Sequence, residues 1–299
     1  MKNYTNIALV ASFFGLWMDS YFSNHIQIIL GFLLIFSFGI LHGANDLLLI
    51  KNLNKKNINK SWLKILGYYV FVVLIGILLF VILPQFALLL FIIISSYHFG
   101  EQEWQQLGIE FSKMLIITFQ FSYGLLILLL LFNFHTIQTQ DIIFKITTFS
   151  VPYYIFSLAL KIVAPLYIVM SGFIFYKAEK LRKKIVFELF FMLLFTILFN
   201  SSSLIWGFAI YFVLWHSIPS IIDQIKFLNG SFSVNNFIMY CRNAGIYWLI
   251  SIIGIAGIYF LFREEELFNA VFFSFLAAIT FPHTFVINKM FSGKELNHS

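Results

Sequence analysis

The chain has 299 residues, of which 61% are hydrophobic and only 11% charged, with a mean hydropathy of +0.90. A soluble globular domain carries about 25% charged residues, so that class is excluded and a polytopic membrane protein takes its place. The net charge of +6 is explained by loop lysines and arginines, and it calls for no nucleic-acid partner.

A hydrocarbon layer of roughly 30 Å takes about 20 helical residues to cross. The chain opens on a short apolar run, 5–18, behind Lys2. No A-x-A cleavage site follows, and Asp19 stands where small residues would be, so the run reads as a short first helix rather than a signal peptide. Longer runs at 26–50, 62–83, 85–106, 112–133, 151–177, 184–199, 202–225, 235–262 and 268–291 predict further spans. They are continuous rather than alternating, which selects helices over barrel strands, and helices satisfy their own backbone groups in lipid. The expected fold class is therefore all-α, a polytopic integral membrane bundle of about 8–10 helices. The polar interruptions at 51–61, 134–150, 177–184 and 226–234 are loop-sized and no repeat stands out, so a single membrane domain spanning 1–299 is expected.

If the helices alternate in direction, 15 of the 19 Lys and Arg fall on one side, among them Lys2, Lys51 to Lys64, Lys113, Lys177 to Lys184, Lys226, Lys289 and Lys294. Lys145 and Arg263 fall on the other, with Lys161 and Arg242 in or near spans. The positive-inside rule then predicts a multi-pass protein of the cell membrane with both termini cytoplasmic. One cysteine, Cys241, excludes an internal disulfide and any C-x-x-C metal or redox motif.

Of the seven histidines, His25, His135 and His298 fall in loops or the tail and are expected to be solvated. The other four lie in the C-terminal halves of spans: His42 in "GILHGANDLLLI", His98 in "SSYHFGEQEW", His216 in "FVLWHSIPSIIDQI" and His283 in "AITFPHTFVI". Those spans are the second, fourth, eighth and tenth and share parity, so the four imidazoles are expected in one cytoplasmic-side layer of the membrane. Ionisable groups at that depth are expensive and mark functional sites. Imidazole suits Zn, Cu or Fe, and no set of thiolates competes, which points to a metal centre.

Carboxylates follow at helical spacing. Asp46 comes four residues after His42, Glu101 three after His98 and Asp223 seven after His216, so each would share its histidine's face and could accept the other ring N–H of a metal-bound imidazole. Glu103 reads as the polar end of a span. The 40 Phe, 14 Tyr and 6 Trp would suit a long conjugated substrate, although Phe-rich helices also simply face lipid. Other readings of four intramembrane histidines are a bis-histidine haem protein or a metal-binding or transport protein. A retinal-binding pump would have only Lys161 for a Schiff base, and membrane desaturases are disfavoured because no H-x-x-x-H or H-x-x-H-H cluster occurs.

Together the motifs H-G-A-x-D (His42 to Asp46), Y-H-F-G-E (Tyr97 to Glu101), L-W-H-S (Leu214 to Ser217) and F-P-H (Phe281 to His283) resemble, in content and order, the Brp/Blh family of membrane β-carotene 15,15′-dioxygenases. The resemblance implies a non-haem Fe(II) enzyme that uses O2 to split the central double bond of β-carotene, or a related carotenoid, into two all-trans-retinal, with an opsin as retinal acceptor and membrane lipid around it. It implies His42, His98 and His216 as iron ligands. The family often carries a further histidine four residues after that of L-W-H, and here the position is Ser220. Either His283 completes a four-histidine set or three histidines leave a position for water. Asp46 and Glu101 are expected to orient ligands, and Tyr97 and Trp215, each preceding a histidine, to pack near the substrate.

Overall fold

The structure is a computed structural model, and it describes residues 2–53, 62–105, 107, 111–261 and 265–295. Lys55, Lys56, Lys60, Arg263 and His298 lie outside the described residues. Among the described residues the chain is helical without strands. The helices are α1 (Lys2–Asp19), α2 (Asn24–Leu34), α3 (Asp46–Leu53), α4 (Trp62–Ile82), α5 (Pro84–Glu103), α6 (Lys113–Phe134), α7 (Thr136–Thr147), α8 (Tyr154–Lys177), α9 (Arg182–Ser201), α10 (Leu204–Ile210), α11 (Ile218–Asn229), α12 (Val234–Leu261) and α13 (Glu265–Glu295). Two π-helical stretches interrupt the regular ladder: Ile35–Gly39 continues α2, and Tyr211–Ser217 joins α10 to α11.

Seven helical segments among the described residues are long and apolar enough to cross a membrane: Leu63–Ile82, Lys113–Phe134, Tyr154–Lys177, Glu179–Ser201, Leu204–Asn229, Val234–Gly257 and Ala270–Ser292. The protein is thus a polytopic helical membrane protein. α4 leaves Leu63, Phe71, Leu74, Leu78 and Val81 exposed, the surface expected where lipid is the solvent. Two expectations change. The apolar run 26–50 is not one span, because the helix ends before His42 and restarts at Asp46. The polar interruption 134–150 is not all loop either: it holds α7, whose Gln140 side chain donates to the Val151 carbonyl at 2.6 Å.

The helices pack as two compact units, each drawn from separate stretches of chain. The first comprises Met1–Ile35, Ser95–Asp141 and Ser150–His216. Within it α6 packs against α8 and α9, and α10 against α2. Phe119 of α6 stacks on Tyr167 of α8, ring centres 5.1 Å apart, and Trp104 meets Phe119 edge-on at 4.8 Å. The end of α5 meets α6 backbone to backbone. A Cβ on Gly100 would lie 1.7 Å from the Gln120 carbonyl oxygen, and one on Gly124 would lie 1.9 Å from that of Ser96. Glycine costs a helix interior about 0.5–1 kcal/mol. Here it is required, since small residues let helix backbones approach in lipid.

The second unit comprises Phe36–Ile94, Ile142–Phe149 and Ser217–Ser299. α13 lies along α4 and α3, with Gly76 close against Ala278 and Phe281 and with Leu49, Val286, Ile287 and Met290 forming an apolar cluster. Ile221 and Ile225 of α11 cluster with Tyr240 of α12. The Trp248 indole N–H donates to the Phe36 carbonyl at 2.7 Å, an added bond where the π stretch loosens the α ladder. α11 ends at Gly230, φ 79°, whose N–H closes on the Lys226 carbonyl, a backbone position that favours glycine.

Candidate functional site

In the first unit His98 and His216 are buried, with 1% and 2% of their surface exposed, and meet edge to face with ring centres 4.8 Å apart at 80°. His98 comes from regular α5, anchored two residues on by the Gly100 contact. His216 comes from the π stretch, a device common at functional sites because it re-aims one side chain without ending the helix. Pro219 has no N–H to offer the carbonyls behind it, and one of these, Leu214, accepts from the Tyr4 hydroxyl instead. The His216 carbonyl accepts from Gln102 Nε2 at 2.7 Å. Phe99 covers the His216 ring at 4.7 Å and Phe212 stacks on it at 5.5 Å, so the pair sits among apolar rings.

In the second unit His42 and His283, 7% and 3% exposed, meet in the same manner, ring centres 4.7 Å apart at 89°. His42 Nδ1 bonds the Gly39 carbonyl. A carbonyl only accepts, so Nδ1 carries the proton and Nε2 the lone pair. His283 follows Pro282 in α13, and its Nδ1–H donates to Asp46 Oδ1 at 2.8 Å. Its lone pair is therefore also on Nε2. Metal-ligating histidines need this tautomer arrangement, with the second nitrogen held by a carbonyl or carboxylate. Asp46 Oδ2 in turn accepts from the Tyr69 hydroxyl at 2.8 Å.

The broken turn at His42 is secured from α11 and α12. Gln224 Nε2 donates to the His42 carbonyl at 2.7 Å and to Ser220 Oγ at 3.1 Å, while its Oε1 accepts from Tyr240 at 2.8 Å. Asn45 Nδ2 closes the loop onto the Tyr240 carbonyl at 3.0 Å. Carbonyls freed by a helix break inside a membrane must find such partners.

The expected residues thus fall as follows. Asp46 does not share a helical face with His42, because residues 42–45 form a turn, and it serves His283 instead. Glu101 is buried and accepts from Tyr97 at 3.3 Å. Trp215 packs on Phe191 and Phe195 and donates to Ser12 Oγ at 2.9 Å. Ser220 is fully buried on Gln224, and Asp223 beside it is half-buried on α11. Glu103 pairs with Lys184 at 2.7 Å. His25 is exposed as expected. His135 is not solvated: it is 7% exposed beyond the end of α6, and burial pushes its pKa below the ordinary histidine value. Tyr69, Gln102, Gln224 and Tyr240 were missed. They are amides and phenols in apolar runs, and only their polarity at that depth could have flagged them.

Two imidazoles bound side by side on one metal, with bonds of about 2.1 Å, have ring centres about 4.5–5 Å apart, whereas axial imidazoles either side of a porphyrin stand about 6 Å apart. Both pairs fall at the first spacing, which is also that of ordinary edge-to-face ring contact. Neutral nitrogen donors in buried surroundings fit a borderline divalent ion such as iron. Among the described residues, no three or more His, Cys, Asp or Glu side chains gather as ligands of one metal. A family model described as beta-carotene 15,15′-dioxygenase matches residues 33–291. No curated protein and no solved structure matches the chain.

Proposed function

The chain belongs to the β-carotene 15,15′-dioxygenase family, and from that premise we propose that it cleaves β-carotene at its central double bond with O2, giving two all-trans-retinal. The cleavage breaks one C=C and one O=O bond and makes two carbonyls. Every atom of both substrates ends in product, so no proton or external reductant is consumed. The observation that carries the reading is the presence of two buried, mutually touching imidazole pairs, His98 with His216 and His42 with His283, on the motifs that gave the resemblance.

On the motifs, His42, His98, His216 and His283 are the candidate Fe(II) ligands, and Ser220, where the family often has a further histidine, is committed to Gln224. Bound iron would supply the redox activation of O2. The chain's own part is to keep the donors oriented and dry. Gly39 and Asp46 hold the Nδ1 atoms of His42 and His283, and Phe99 and Phe212 line His216 with apolar surface that excludes water. A substrate as apolar as a carotenoid would reach such a centre from the bilayer, and the retinal would pass to an opsin in the same cell membrane. The lysine and arginine bias places both termini in the cytoplasm in this reading.

The test is expression in β-carotene-accumulating bacteria, with pigments extracted and retinal and longer apocarotenals quantified, beside His98→Ala. Retinal from the parent protein and a fall of at least about 100-fold in the variant are expected. Longer apocarotenals without retinal would move the cleaved bond off centre. Untouched β-carotene beside folded, iron-loaded protein would remove this substrate.

A further inference from the structure

The carboxylate of Asp46 is 1% exposed and uses both oxygens: Oδ1 for His283 Nδ1 and Oδ2 for the Tyr69 hydroxyl, each at 2.8 Å. Three separate elements of the second unit meet in this chain of bonds, α4 through Tyr69, the first residue of α3 through Asp46, and α13 through His283. The terminal torsion of an aspartate is soft and roughly two-fold, so one hydrogen bond to imidazole leaves the carboxylate plane free to rock. A second bond to the other oxygen stops it. Asp46 also opens α3, where a negative side chain is favoured.

We propose that Tyr69 and Asp46 are positioning residues for His283. Tyr69 fixes the carboxylate plane, Asp46 fixes the imidazole as the tautomer with its lone pair on Nε2, and the ring is thereby aimed before any metal arrives. Asp46 acts on His283 across 237 positions of chain, and neither Tyr69 nor Asp46 is itself a ligand. The inference rests on the reading of His283 as an iron ligand.

The experiment measures the Fe(II) dissociation constant of the purified full-length protein in detergent by chelator competition, for the parent chain, His283→Ala, Asp46→Asn, Asp46→Glu and Tyr69→Phe. Thermal unfolding of the metal-free proteins runs alongside. Support is a roughly 10–100-fold weaker constant for Asp46→Asn, partial recovery in Asp46→Glu and a smaller weakening, about 3–10-fold, in Tyr69→Phe, with apo unfolding of Tyr69→Phe close to the parent's. Activity of Tyr69→Phe should return at saturating iron, which a loss of fold would not allow. Should Asp46→Asn fail to fold, Tyr69→Phe, which removes one hydroxyl, decides alone. If His283→Ala loses iron while Asp46→Asn and Tyr69→Phe bind like the parent, the relay is overturned and the ligand reading stands. If His283→Ala binds as tightly as the parent, both fall.

Discussion

At His42 and His216 the backbone carbonyl is held as firmly as the ring, by Gln224 at 2.7 Å and by Gln102 at 2.7 Å. A glutamine amide is suited to this because it donates and accepts at once, and Gln224 uses both functions, taking the Tyr240 hydroxyl on its oxygen. Gln224→Leu would keep the bulk and strand a buried carbonyl, costing about 1–3 kcal/mol. A fall in the unfolding temperature of the detergent-solubilised protein would register it, and an unchanged temperature would show that water replaces the amide. Little of this was legible in the sequence. His42 and Asp46 advertised themselves by charge and spacing, whereas Gln224 and Tyr69 look like ordinary polar residues until the break at His42 creates carbonyls to satisfy and Asp46 is turned toward α13.

Among the elements, α5 and α6 approach backbone to backbone, because Gly100 and Gly124 each face a backbone rather than a movable side chain. Gly124→Ala would drive a methyl to 1.9 Å from the Ser96 carbonyl oxygen, and the helices would have to separate and take His98 with them. The expected result is a loss of several kcal/mol, seen as little folded protein in detergent. Gly172→Ala in α8, with nothing within 4 Å of the added carbon, is the control and is expected to be neutral or to stabilise by about 0.4–1 kcal/mol. Irregular helix serves the other histidines: a π stretch and a turn at His42, a π stretch at His216 and a proline before His283. Hydrophobic runs located these helices to within a few residues but carried no sign of the π stretches, which depend on where Pro219 and the packed neighbours leave carbonyls to be shared.

For the molecule as a whole, seven apolar spans and exposed aliphatic faces establish a membrane protein, and the asymmetry of its cations carries a prediction of direction. Reporter fusions at either terminus should report a cytoplasmic location. A fusion after Lys145, one of the few cations expected on the opposite side, should report the other compartment, and cytoplasmic signal from all three would overturn the topology. The twelve-residue α7 that carries Lys145 was read as an interruption because it is too polar and short for a span. Its helicity comes from local hydrogen bonding, to which hydropathy is blind.

The sequence by itself determined the solvent, the helical class, the positions of most spans and the four histidines, because each is a property of composition or of a short run of residues. Only the tertiary structure decided that His98 meets His216 and His42 meets His283, that Asp46 serves a histidine 237 positions away rather than the one four positions before it, and that Tyr69 stands behind it. Helical periodicity can foretell neighbours only while the helix continues. At residues 42–45 it stops, and from there the partners are chosen by packing between distant segments.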